Sequence, residues 1–151
     1  MRTDARFLGF DWRLLNLGVV HQSNGRNLPL SRSWNRVYAQ FGLERGNLSL
    51  FVRPWLRINE SASTDDNPGI TNYMGHGDLL AVYHHGKHEL SALTRYSSVG
   101  NRATMQLDWH FPLLGALKGY VQVFSGYGET LVDYNIRQNT IGVGVSLTQW
   151  Q

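Results

Sequence analysis

His21, Ser23 and Asn35 bring together an imidazole, a hydroxyl and an amide, the side-chain types of a serine-hydrolase site. An imidazole that accepts a hydroxyl proton makes that oxygen a nucleophile, and a third polar group keeps the ring in the tautomer able to accept it. His21 and Ser23 are two residues apart. In a strand such neighbours point the same way with Cα atoms roughly 6.5–7 Å apart, a gap their side chains can close. Taken alone, a His-x-Ser at a strand end is either rim polarity or the start of a catalytic set. A neutral asparagine would orient the ring without adding charge, so a further electrostatic aid is expected beside it.

The elements that must position these groups are strands. Alternation with period two recurs along the chain. Over 34–43 one face reads Asn35, Val37, Ala39, Phe41, Leu43 and the other Trp34, Arg36, Tyr38, Gln40. Over 48–58, Leu48, Leu50, Val52, Pro54, Leu56 and Ile58 oppose Ser49, Phe51, Arg53, Trp55 and Arg57. Met105, Leu107, Trp109 and Phe111 oppose Thr104, Gln106, Asp108 and His110, and Ile141, Val143, Val145 and Leu147 oppose Gly142, Gly144, Ser146 and Thr148. Less regular strands are expected at about 70–84, 88–97 and 117–126, and a first one at about 6–23, which makes eight with no helix.

The polar face, rich in Gly, Ser, Arg and Gln, suits the interior of a transmembrane β-barrel better than the core of a sandwich. Connections also alternate in length. Glu44–Asn47, His85–Lys87 and Leu113–Ala116 are tight; Asn24–Ser33, Asn59–Pro68 and Tyr127–Asn139 are long, and Ser97–Asn101 is intermediate. Short turns on one rim and long loops on the other are the outer-membrane pattern. Trp12, Trp55, Tyr83, Trp109, Phe111 and Trp150 are candidates for interfacial aromatic girdles. The expected architecture is therefore an all-β, antiparallel barrel forming a single domain over 1–151.

Composition agrees. Hydrophobic residues make up 42% of the 151, glycines number 16, and no run approaches the roughly 18 apolar residues of a membrane helix. There is no cysteine, hence no disulfide or thiolate chemistry. The net charge is +3, but the arginines are scattered and form no nucleic-acid patch. Met1 is followed by Arg2-Thr3-Asp4 and not by an apolar leader segment.

The strand period fixes where the reactive groups lie. His21 shares its face with Val19, Leu17 and Leu15, and Asn35 shares its face with Val37, Ala39 and Phe41. All three polar groups thus end an outward apolar stripe. On a lipid-facing wall they cost free energy unless they bond to one another, which a His–Ser–Asn set does.

The run His21-Gln22-Ser23-Asn24-Gly25-Arg26, then Pro29 and Ser31-Arg32-Ser33-Trp34-Asn35-Arg36, resembles the active-site hairpin of outer-membrane phospholipase A. Thr64-Asp65-Asp66-Asn67-Pro68, Tyr73-Met74-Gly75, Ser125-Gly126-Tyr127-Gly128-Glu129 and Asp133-Tyr134-Asn135 are similar in the same order. The resemblance implies a calcium-dependent enzyme of the Gram-negative outer membrane that hydrolyses acyl esters of phospholipids and lysophospholipids as a homodimer. It assigns Ser23 as nucleophile, His21 as general base, Asn35 as orienting residue and the Gly25 amide to the oxyanion hole. The Arg26 carbonyl and Ser31 hydroxyl would be calcium ligands, with Asp66 at a further calcium position. Calcium seeks hard oxygen ligands and would supply the charge that Asn35 does not.

Two departures stand out. The family barrel has twelve strands where this chain supports about eight, so the expectation is a C-terminal portion of a larger barrel. Leu28 stands where the family often has an acid, and leucine coordinates nothing. Asp65 and Asp66 are then either calcium ligands or a solvated loop. His84, His85 and His88 cluster at a turn, but alternation splits the first two between faces and makes a rim turn the expectation over a metal site. Two other readings remain: a non-catalytic outer-membrane barrel that anchors or binds, and a soluble lipocalin-like barrel with its apolar faces inside and Arg36, Gln40, Arg53 and Arg57 outside.

Overall fold

A computed structural model describes residues 5–147; Thr148 and Trp150, placed above on the last strand and in a girdle, lie outside the described residues. The strands are β1 Arg6–Phe7, β2 Phe10–Ser23, β3 Ser33–Arg45, β4 Leu48–Ile58, β5 Gly77–His85, β6 His88–Ser97, β7 Arg102–Leu114, β8 Leu117–Tyr127 and β9 Arg137–Leu147. Each pairs antiparallel with the next in one nine-stranded sheet. Among the described residues β9 pairs with β8 alone, so the sheet is not closed. No helix among them is long and apolar enough to cross a membrane.

Three expectations are corrected. The first strand is two, because Leu8 and Gly9 both take positive φ (50° and 81°) and fold β1 back on β2. The strand expected from residue 70 starts only at Gly77; a short helix, α1 (Thr71–Met74), precedes it. It is fixed by tertiary contact: a Cβ on Gly75 would sit 2.4 Å from the Tyr96 carbonyl oxygen, so only glycine brings the helix so close to β6. Trp55 belongs to no girdle. It is 3% exposed, faces inward, and donates its Nε1 proton to the Gly75 carbonyl at 3.0 Å.

The tight connections are two-residue turns, 46–47, 86–87 and 115–116, each with a positive-φ glycine first. The long loops gather at the opposite end. There the buried core forms from Trp34, Trp55, Ile70, Met74 and Tyr134. The apolar stripes lie on the outside: Leu17, Val19, Leu56, Ile141, Val143 and Val145 are 68–79% exposed. Arg36 lies over the Trp34 ring at 3.9 Å, Arg53 pairs with Asp78 at 2.6 Å, and the Arg57 side chain is 8% exposed. Arginines inside and aliphatics outside exclude the lipocalin-like arrangement.

Candidate active site

The site lies where β2 ends and β3 begins. Alternation along both strands is kept in register, with Val19 opposite Val37, His21 opposite Asn35, and Ser23 opposite Ser33. A bulge between Trp12 and Leu14 leaves this end undisturbed. Directly opposed residues have Cβ atoms about 5 Å apart. The His21 Nδ1 and Asn35 Oδ1 atoms accordingly meet at 2.8 Å. With the amide oxygen as acceptor, the ring proton sits on Nδ1 and Nε2 is left free to accept.

Ser23 shares the face of His21, but its hydroxyl is not hydrogen-bonded to the imidazole. It accepts instead from the Gly25 amide at 3.1 Å. Gly25 has φ +64°, and its built Cβ would touch nothing within 4 Å, so the requirement for glycine is conformational and not steric. This turn aims the Gly25 amide at the Ser23 hydroxyl oxygen.

Asn24 shapes the loop that carries Gly25. Its Oδ1 accepts from the Arg26 and Arg32 amides at 3.2 and 3.1 Å, and its Nδ2 donates to the Leu30 carbonyl at 2.7 Å. Arg26 is thereby tied to Asn24, while Ser31 turns toward the loop after β4 and donates its hydroxyl to Asp66. That loop is anchored independently. Arg57 pairs with Asp65 at 2.6 Å with both side chains largely buried, and buried Asn67 accepts from the Ser33 amide at 3.2 Å. The two aspartates are thus not one solvated pair: Asp65 is a structural counter-charge, and Asp66 faces Ser31. Leu28 is 76% exposed and takes no part.

The inner side of the same hairpin end is packed. Trp34 is fully buried, edge-on to Trp55 at 6.3 Å, and donates Nε1 to Gln22 Oε1 at 3.1 Å. Arg36 donates to the same Gln22 oxygen at 2.9 Å. Gln22 and Arg36 point away from the reactive face, yet they hold the backbone that bears it.

Sequence reasoning gave no role to Asn24 and Asn67, though both stand in the runs it singled out, and missed Glu60. Glu60 Oε1 accepts from Asn35 Nδ2 at 3.0 Å. Its only sequence signal was its distance of two residues from Ile58, the β4 partner of Asn35. The histidines of the β5–β6 turn each have a different neighbour. His84 lies 3.7 Å from Glu89, His85 stacks on Tyr83, and His88 accepts from Trp109 Nε1 at 3.3 Å.

The model of the family described as Phospholipase A1 matches residues 1–147. The chain belongs to the phospholipase A1 family. The phospholipase A1 of Salmonella typhimurium is 45% identical over 145 residues, 96% of this chain and 49% of that protein. The structure of outer membrane phospholipase A from Escherichia coli superposes with a TM-score of 0.90 at 44% identity, covering 97% of this chain and 56% of that one. A further structure of the Escherichia coli enzyme is an asparagine-to-alanine active-site mutant. The Salmonella typhi outer membrane phospholipase, a dimer with bound calcium, matches at TM-score 0.90 and 44% identity, again over 97% of this chain and 56% of that one. The chain spans about half the length of the curated relatives it matches. A phospholipase A1 fold thus carries this hairpin, on a sheet that matches a barrel wall.

Proposed function

We propose that this hairpin hydrolyses acyl esters of phospholipids and lysophospholipids in the Gram-negative outer membrane, with Ser23, His21 and Asn35 as its machinery. The observation that carries the reading is the 2.8 Å contact between His21 and Asn35 at the end of an exposed apolar wall, where an acyl chain would lie. Family membership and the active-site asparagine of the Escherichia coli relative support it.

In this mechanism Ser23 Oγ attacks the ester carbonyl carbon while its proton passes to His21 Nε2. Asn35 Oδ1 holds the Nδ1 proton and so keeps the imidazole aimed. The Gly25 amide donates to the oxyanion. On collapse the bond to the glycerol oxygen breaks, that oxygen takes the proton from His21, and water releases the acyl group by the same route in reverse.

The Arg26 carbonyl and the Ser31 hydroxyl, both in the loop after β2, are hard oxygen donors of the kind calcium takes, and the Asp66 carboxylate that Ser31 meets would serve the further calcium position. Calcium held by the Arg26 carbonyl and the Ser31 hydroxyl would supply positive charge for the oxyanion, which neutral Asn35 cannot. The active form is a homodimer, as in the calcium-bound Salmonella typhi relative.

The test is phospholipid hydrolysis in detergent micelles containing calcium, with wild type set against Ser23→Ala. Loss of the nucleophile removes about 10³-fold or more of the rate. Comparable rates in the two proteins would end the assignment. Covalent labelling by a sulfonyl fluoride, present in wild type and absent in Ser23→Ala, gives the same answer without turnover. A folded barrel that never labels would be a non-catalytic anchor or binding protein.

A further inference from the structure

Behind Asn35 stands a carboxylate that the Ser–His–Asn scheme does not use. Glu60 lies two residues past Ile58, the last residue of β4 and the partner of Asn35, so the loop that leaves the strand starts beside the site. Its Oε1 accepts from Asn35 Nδ2 at 3.0 Å, while Asn35 Oδ1 meets His21 Nδ1 at 2.8 Å. Among the described residues no Lys, Arg or His lies within ion-pair distance of Glu60, so it is not half of a salt bridge. It is half-buried at the head of the loop that also brings Asp66 to Ser31.

An amide has a donor end and an acceptor end of nearly equal shape, and a half-turn about its last bond exchanges them. Facing His21 alone, Asn35 could present either end, and the imidazole would take the tautomer that matches. An ionised carboxylate only accepts. Placed at the far side of the amide, it bonds only the NH₂ end and forces the oxygen toward His21. That choice puts the ring proton on Nδ1 and leaves Nε2 as the base.

We infer that Glu60 is a positioning residue for the site: its carboxylate sets the orientation of the Asn35 amide and through it the tautomer of His21. The inference rests on the proposed role of His21 as the base, but its primary readout does not.

The experiment uses two substitutions of opposite hydrogen-bonding sense. In Glu60→Lys the ammonium can only donate; it takes the Asn35 oxygen, turns the amide, and moves the His21 proton to Nε2. Nitrogen-15 NMR of the imidazole, assigned by loss of the signal in His21→Ala, reads this directly as a change from the Nδ1–H to the Nε2–H tautomer. Hydrolysis falls on the order of a hundredfold, the loss expected when a general base is disabled. In Glu60→Gln the carbonyl still accepts from Asn35, the Nδ1–H tautomer persists, and activity falls only about two- to fivefold, as a charged hydrogen bond becomes a neutral one.

A second arm reverses the sign. In Asn35→Asp two carboxylates face each other, and adding Glu60→Gln supplies a donor to Asp and raises activity about tenfold, the opposite of its effect in wild type. An unchanged His21 tautomer in Glu60→Lys, or an equal effect of Glu60→Gln in both backgrounds, overturns the inference. If Ser23→Ala hydrolyses as fast as wild type, the serine-hydrolase reading fails instead, and the NMR result still decides the role of Glu60.

Discussion

Trp34 and Asn35 are consecutive in β3, yet they face two different chemistries. Inward, Trp34 is fully buried, edge-on to Trp55, capped by Arg36 at 3.9 Å and hydrogen-bonded to Gln22. Outward, Asn35 has the His21 ring on one side and Glu60 on the other, on the same face as Val19 and Leu17, which are about 70% exposed. The inner face is held by many contacts of modest strength. The outer face depends on a few directional hydrogen bonds. One strand can serve both needs because alternation separates them by a single residue. Packing on one side keeps rigid the backbone from which the other side projects its groups.

If that division is real, substitutions on the two faces should have separable effects. The largest is expected inside. Trp34→Ala removes an indole from the core and should cost about 3–5 kcal/mol of stability, read as a lowered unfolding midpoint in detergent. Activity would then fall only because the folded fraction falls. A Trp34→Ala protein of native midpoint would remove the inner face from the account.

Outside, Asn35→Ala should leave the unfolding midpoint near wild type and slow hydrolysis about ten- to a hundredfold. That range corresponds to one hydrogen bond to a charged imidazolium, worth roughly 1.5–3 kcal/mol. A drop in stability matching that of Trp34→Ala would show that the two faces are not independent.

The smallest effect concerns Tyr134, which joins the same inner core from the loop between β8 and β9. Burial pushes its phenol above the ordinary value of 10, with Tyr73 and Asp65 adding to the rise against Arg32 and Arg57. A folded-state value above the unfolded one means this stability is fully present below pH 10 and is lost as pH rises through the folded value. Tyr134→Phe should shift the alkaline unfolding limb upward by a fraction of a pH unit and change nothing at neutral pH. An identical alkaline limb in the two proteins would place the phenol's ionisation outside the core's stability.

Legibility in the sequence follows the range of the interactions. The hairpin pairing of β2 and β3, the outward setting of His21 and Asn35, and the glycine turns were readable because each depends on neighbours in the chain or across a short loop. Trp55 shows the limit. Alternation assigned it inward, its place near a strand end suggested a girdle, and only the carbonyl of Gly75, twenty residues on, decides for the interior. Helix α1 was invisible because Gly75 packs it against Tyr96, which no periodicity encodes.

The sequence by itself determined the faces: a pleated strand sends neighbouring side chains to opposite sides, so His21, Ser23 and Asn35 had to share the apolar one. Tertiary structure decided what those side chains touch. The loop after β4 brings Asp66 to Ser31 and Glu60 to Asn35 across separations of 35 and 25 residues. The Ser23 hydroxyl accepts from the Gly25 amide and makes no hydrogen bond to His21. Face is set by backbone geometry over two residues, whereas a partner is chosen by loop packing, where many arrangements are open to the same local sequence.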